Sequence, residues 1–454
     1  MTDASPITDA AILAEINERD VSNLTKDRWH GRFAYVKTND SYFDLLERSE
    51  YTRGTFNALY RHEPKLASIH SENKRCDPAL WFDENRKARG GHALSGVTFA
   101  AGEGNLVSRN GEVFGNRWRD ARPKGRPGDV SLWLKHAERM IPSESDREHV
   151  FNVMAHKRQH ANIKINHAVL HGGVPGSGKD SLWAPFLWSI GTDQNVNVEV
   201  IRHDELTGAW GYALESEVLV INELRQNERM DKRAFENTLK PLIAAPPEFL
   251  QINRKHAHPY NALNRLLLLA FSNERAAISL PSDDRRWFVI WSHASRMADE
   301  DAAKLWRWYH GGGFEAVTAW LDARDVRQFL PGATPPVTDA KLALVDLAMN
   351  NAESYVTQMA RDRVDMFERG VIAAPLNLVA LRIIKNHRDA PKISRDAILV
   401  ALKEAGWVDR GLVHSRRYTT KRHVWCAPEL TDTKGAVLRD MLEAAPPSLT
   451  VVKA

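Results

Sequence analysis

The stretch "HGGVPGSGKDSLWAP", His171–Pro185, holds residues whose types and spacing fit phosphate chemistry. Gly173, Gly178 and Lys179 stand at the spacing of the G-x-x-x-x-G-K-[ST] loop. In such a loop, glycines let backbone N–H groups converge on phosphate oxygens without Cβ clashes. Gly173, Val174, Pro175, Gly176, Ser177 and Gly178 would form the cradle, and Lys179 would bring a cation to the β- and γ-phosphates. A helix beginning at Lys179 would add the partial positive charge of its N-terminus. The position after the lysine normally carries a hydroxyl that helps hold Mg²⁺. Here it is Asp180, with Ser181 one place later. Both are candidates for the metal shell.

Downstream, "EVLVINEL" is an apolar run ending in Asn222-Glu223. A carboxylate at such a strand end can orient or deprotonate an attacking water, which assigns Glu223 as the general base. The position before it, usually an aspartate near the metal, is Asn222. One carboxylate has thus moved from the strand to the loop, where Asp180 stands, and the total charge is conserved. "RLLLLAFSN" ends in Ser272-Asn273, and an amide at that strand tip can sense the γ-phosphate or hold the water. "SDDRRWFVIW" then carries Arg285 and Arg286, candidates for an arginine finger that reaches the nucleotide of a neighbouring subunit.

These residues need strands and helices to hold them. "INHAVLHGG" leads into the loop as a strand, and "KDSLWAPFLWSIG" follows as a helix ending at Gly191. The runs 195–201, 217–221, 265–271 and 286–291 are of strand length, with helical spacing between them, as in "DKRAFENTLKPLIAA". Near-continuous apolar strands separated by helices indicate a parallel sheet covered on both faces. The expected class is therefore α/β. Residues 1–130 read as an irregular accessory region, within which Arg117–Asp129 looks like a solvated basic connector. Residues 131–300 read as the ATPase core with its preceding helices, and 301–380 as a helical segment. Residues 381–454 have the helix, strand, basic turn, strand order of a winged helix. Arg416 and Arg417 lie in that turn, beside Tyr418, as candidate DNA contacts.

Composition sets outer bounds. The 454 residues are 43% hydrophobic and 26% charged, ordinary for a globular protein of two or three domains. A net charge of +4 leaves any nucleic-acid partner to local clusters. Cys76 and Cys426 are far apart and lack metal-ligand spacing, which suits two free thiols in a reducing cytoplasm. The N-terminus is polar and acidic, unlike a secretory signal, and the run Leu266–Phe271 is too short to span a bilayer, so no membrane partner is expected.

Taken together, the loop, the acidic strand end, the Asn-bearing strand and the arginine pair resemble a superfamily 3 helicase, with an AAA+-like P-loop ATPase core. More narrowly, "GKD", "LKPLIAAPPEFLQINRKHAHPYNALNRLLLLAFSN" and "ISLPSDDRRWFVIW" are similar to the helicase domain of phage and plasmid primase-helicases, related to the poxvirus primase-helicase. The resemblance covers residues 165–295 and extends less closely over 25–165. It implies a homo-hexameric ring that hydrolyses ATP with Mg²⁺ and moves 3′ to 5′ on single-stranded DNA during replication. It also implies a DNA-contacting hairpin at "QINRKHAHPYN", with Arg254, Lys255 and His256 near the tip. A lysine and a histidine on a pore loop can grip and release a phosphate. The N-terminal region reads as too short for a catalytic primase domain plus the segment before the helicase, so if DNA is primed, a separate primase or polymerase is expected to do it. Two other functions stay open. Asp180 and Asn222 also suit a nucleotide-binding initiator that does not hydrolyse, and the core alone would suit a protein remodeller.

Overall fold

The computed structural model describes residues 29–61, 77–87, 90–191, 196–202, 211–224, 232–253, 258–275, 278, 280, 283–348, 351–373, 375–387, 390–391, 393–414 and 421–444. The chain divides into two compact units, residues 1–278 with 284–341, and residues 279–283 with 342–454.

The first unit opens with structure where the sequence suggested irregularity. Strands β1 (Phe33–Val36), β2 (Ser41–Asp44), β3 (Ser49–Thr52) and β4 (Ala93–Leu94) form a sheet in the order β3-β2-β1-β4. Helices α1 (Arg53–Tyr60) and α2 (Pro78–Asn85) cover it through Phe33, Tyr42, Phe56 and Phe82. These strands are four residues or shorter. Runs that brief carry almost no periodic signal, and the aromatic cluster that stabilises them comes from distant segments. A second sheet holds β5 (Gly96–Thr98), β6 (Leu106–Arg109) and β7 (Glu112–Asn116), in the order β5-β7-β6. Asn110-Gly111 joins β6 to β7, both at positive φ, as a two-residue hairpin requires.

The expected basic connector, Arg117–Asp129, is docked over its first half. Trp118 is buried, and Glu217, fully buried, accepts from Trp118 Nε1 at 2.8 Å and from Arg122 Nη2. Arg117 pairs with Glu50. A buried carboxylate needs cationic and hydrogen-bonding partners, and this segment supplies them, which is why it is not solvated.

Two helices, α3 (Ser131–Met140) and α4 (Glu144–Gln159), lead into the core. Its strands are β8 (Ala168–Gly173), β9 (Val198–Arg202), β10 (Val218–Asn222), β13 (Leu267–Ser272) and β14 (Trp287–Ser292). All neighbouring pairs are parallel, in the order β14-β8-β13-β10-β9. Helix α5 (Lys179–Ile190) follows β8, and α6 (Lys232–Ile243) follows β10. The antiparallel hairpin β11 (Phe249–Ile252) and β12 (Tyr260–Leu263) stands between α6 and β13. One face of the sheet packs on α3, α4, α5 and the later helices α7 (Asp299–Trp308) and α8 (Phe314–Ala323), through Trp133, Met154, Trp183, Phe186, Phe288 and Leu321. Gly172 can only be glycine, because a Cβ would lie 2.1 Å from the ring of Trp291.

The second unit contains helices α9 (Asn351–Arg361), α10 (Leu376–Asn386), α11 (Arg395–Glu404) and α12 (Gly435–Ala444). Strands β15 (Val371–Ala373), β16 (Val408–Val413) and β17 (Arg422–Cys426) form an antiparallel sheet in the order β15-β17-β16. Cys426 is a free, buried thiol. No described helix is long and apolar enough to cross a membrane.

Candidate nucleotide site

Every strand of a parallel sheet ends at the same edge, so the segments after β8, β10 and β13 emerge together. Because β13 lies between β8 and β10, Asn273 stands between the glycine loop and Glu223. The Nζ of Lys179 donates to Asn273 Oδ1 at 2.7 Å. Lys179 is buried, and loss of solvent lowers its pKa, opposed by the charges of Asp180 and Glu223. The carboxyl of Asp180 is raised, first by desolvation and further by Glu223, with Lys179 opposing. Asp180 keeps an exposed surface, yet the protein packed around its carboxyl displaces enough water to penalise the anion. These mutual effects place Lys179, Asp180, Glu223 and Asn273 in one cluster.

The loop is braced from outside. Arg139 of α3 donates to Ser177 O at 2.7 Å and to Ser295 O at 2.6 Å. His136 Nε2 meets Gly178 O at 2.8 Å, and Met297 N donates to Gly176 O at 2.9 Å. A trans peptide points its N–H opposite its C=O. Tying back the carbonyls of Ser177 and Gly178 therefore turns the N–H groups of Gly178 and Lys179 to the other side. Gly178 has φ +101°, and a Cβ there would strike Met297 and His136. The Oγ of Ser177 is fully enclosed and has no hydrogen-bond partner among the described residues. A buried hydroxyl without a partner is uncommon, and a phosphate oxygen in the loop would satisfy it.

Asn222 and Glu223 are exposed at the end of β10, and Glu223 has φ +52°, an uncommon conformation for a glutamate. The Oγ of Ser272 donates to Leu224 O at 2.7 Å, and Leu224 N to Phe271 O at 2.7 Å. Glu223 is thus held between two fixed neighbours. Ser181 lies one helical step, about 100°, around α5 from Asp180, and its carbonyl accepts from Tyr309 Oη at 2.8 Å. Among the described residues, no group of three or more His, Cys, Asp or Glu side chains could hold a metal ion.

Arg285 and Arg286 stand elsewhere. Trp287 of β14 pairs with Ala168, whereas Ser292 pairs with Gly173. The arginines therefore precede β14 at the opposite edge of the sheet, about 20 Å from the loop at ~3.3 Å per residue. Asp284 Oδ1 holds the turn by accepting from Arg286 N and Trp287 N, and pairs with the buried Lys341 at 3.0 Å. Arg254, Lys255, His256, Arg416 and Arg417 lie outside the described residues. The strands flanking the first three are β11 and β12, and those flanking the last two are β16 and β17.

Sequence reasoning missed Arg139, His136 and the segment Ser295–Met297. An arginine on an amphipathic helix has no local mark of a loop brace, and only its long-range partners reveal it.

A family of unknown function (DUF5906) matches residues 170–286, the stretch from the glycine loop through Arg286. No curated protein matches the sequence. Among solved structures, the apo C-terminal region (305–718) of NrS-1 is similar over 89% of this chain and 100% of that chain, at 13% identity and a TM-score of 0.63. The A form apo structure of that region matches at 13% identity and a TM-score of 0.60, covering 87% of this chain and 96% of that one. At that identity the likeness is one of fold. A JCV helicase structure with a bound small molecule reaches a TM-score of 0.31 at 14% identity, over 51% of this chain and 65% of that one.

Proposed function

We propose that this protein is an ATP-driven translocase or helicase of the superfamily 3 kind, acting as a ring on single-stranded DNA in replication. The observation that carries the reading is the meeting of Lys179 and Asn273 at 2.7 Å on the sheet edge where Glu223 also emerges. A phosphate-loop lysine, a polar strand-tip residue and a strand-end carboxylate are the parts that phosphoryl transfer to water needs. Gly178 and Lys179 would bind phosphate oxygens through their N–H groups, and Ser177 through its hydroxyl. Lys179 would exchange Asn273 for the terminal phosphate, which frees the amide to orient water. Glu223 would accept the proton of that water. Asp180 would hold Mg²⁺ or its waters, with Ser181 and Asn222 nearby, and the ion would neutralise charge between the phosphates.

The position of Arg285 and Arg286 supports a role in trans, because they are too far away to serve their own subunit's loop. A ring, in keeping with a hexamer, would bring them to the neighbour's site. The hairpin β11–β12 suits a strand-tracking element, and the helices and three-stranded sheet of the second unit suit a winged helix that touches DNA through Arg416 and Arg417.

The test is ATP hydrolysis with Mg²⁺, with and without single-stranded DNA, repeated on mixtures of wild type with a chain carrying Arg285→Ala and Arg286→Ala. Stimulation by DNA, and activity falling faster than the mutant fraction, are the expected results. Hydrolysis absent under every metal would replace the reading with a nucleotide-binding initiator. Strictly proportional loss in the mixtures would remove the intersubunit finger.

A further inference from the structure

A cavity of about 360 Å³ lies alongside the hairpin, away from the glycine loop. The β12 strand docks on the small sheet: Leu263 N donates to Phe99 O at 3.0 Å, and Thr98 Oγ1 to Asn261 O at 2.9 Å. Phe249, Tyr260 and Asn261 of the hairpin and Arg109 and Phe114 of the small sheet line the cavity. By the β11–β12 register Phe249 and Asn261 share the exposed face of the hairpin, whereas the ring of Tyr260 turns to its buried face. The guanidinium of Arg109 lies over the Phe249 ring, 5.2 Å from its centroid. Asn261 and His258 add hydrogen-bonding groups to the wall.

One polar atom of this wall is left over. Arg109 Nη2 is enclosed and has no hydrogen-bond partner among the described residues. Such an atom normally finds a protein or water partner, and leaving its bond unmade costs stability. Phe249 keeps 39% of its surface exposed, so part of its ring stays open beside Arg109. Aromatic faces, a stacked arginine and neutral amides are the groups that receive an unstacked nucleobase. The volume is that of a small-molecule site, ample for one base with its sugar.

We propose that this cavity takes one nucleobase of the single strand, splayed out as the strand passes the hairpin, stacked against Phe249 and hydrogen-bonded by Arg109 and Asn261. The inference rests on the translocase reading, to which it adds a base-holding site distinct from the phosphate-gripping tip. Each subunit then holds its strand by a base as well as by backbone charge. Because stacking is tolerant of sequence, the site gives purchase with little discrimination.

The test compares binding of full-length protein to an oligothymidylate strand and to the same strand with abasic sites in place of bases. Phosphate charge is the same in both. Wild type should prefer the intact strand by ~5- to 150-fold, the range for losing a base–aromatic stack. Phe249→Ala should erase that preference and leave DNA-free ATP hydrolysis unchanged. Asn261→Ala, on the same hairpin face as Phe249, should cost about 2- to 10-fold on the intact strand. Equal binding of both strands by wild type overturns the base site while leaving the translocase reading in place. Binding of neither strand, with ATP hydrolysis intact, removes the DNA reading and this site with it. Saturable, Phe249-dependent binding of thymidine monophosphate as tight as the strand makes it a free-nucleotide pocket and overturns the strand assignment.

Discussion

Replacing Asn273 tests whether Lys179 is the phosphate cation. Its Nζ lies 2.7 Å from Asn273 Oδ1, in a buried setting. The substitution Asn273→Asp puts a carboxylate at nearly the same place with almost no change in volume. Beside an ammonium that carboxylate ionises readily. The attraction at this distance is about 6 kcal/mol gross for an effective dielectric of ~20. A hydrogen bond to a charged group is worth about 1.5–3 kcal/mol net. The lysine is then held by its new partner and is slow to leave for a phosphate. The added anion also repels the nucleotide. ATP affinity should fall by about 10- to 150-fold, the lower figures applying if the side chains relax. Asn273→Ala removes the hold without adding charge, so affinity should fall by less than about fivefold, while turnover drops because the water loses its amide. A fluorescent ATP analogue, titrated with Mg²⁺ and without DNA, reads the affinities directly. Should Asn273→Asp bind as tightly as Asn273→Ala, Lys179 does not reach the phosphates and the site assignment fails.

Two further outcomes are expected. Asp180→Ser alone should cut hydrolysis and Asn222→Asp alone should disturb metal use. The double variant should recover much of the activity, with a coupling of about 1–3 kcal/mol in a double-mutant cycle, and simply additive effects would show that the carboxylate has not been relocated. The buried His167 and His171 are pushed down to about 3 by burial, and His171 Nδ1 accepts from Trp183 Nε1. Their folded values lie below the unfolded ~6.5, so the unfolded chain binds more protons and stability falls as pH drops from 6.5 toward 3. Each histidine should cost about 1.4 kcal/mol near pH 5.5, visible as a lower urea midpoint than at neutral pH, whereas a midpoint that does not move would mean these rings are charged or exposed in the native state.

Much of the candidate site was legible because its parts are local. A glycine loop must sit between a strand and a helix to serve phosphate, and β8 and α5 enclose it, with Gly178 and Gly191 at the ends of α5. The runs ending at Asn222 and Ser272 are apolar without alternation because both faces of the parallel sheet are covered, and that signature reads directly from residue types. The cluster of Lys179, Asp180, Glu223 and Asn273 needs one thing more, the order of the strands. Nothing in the spacing states that β13 lies between β8 and β10, yet that adjacency brings Asn273 to Lys179.

Features built from distant partners were decided only by the tertiary structure. Arg122 reads as part of a solvated connector until the buried Glu217 is seen beside it, and Arg139 as one more helix-surface cation until its two carbonyls appear. The small sheets of residues 29–116 have strands too short for a period, and their aromatic cluster joins Phe33 to Phe82 across the intervening chain. The cavity alongside the hairpin likewise needs Arg109 and Phe249 together, residues far apart in sequence. Periodicity and loop chemistry are short-range properties of a chain and can be read from its order. Burial, charge compensation and enclosed space depend on which segments meet, and that is settled only when the whole chain packs.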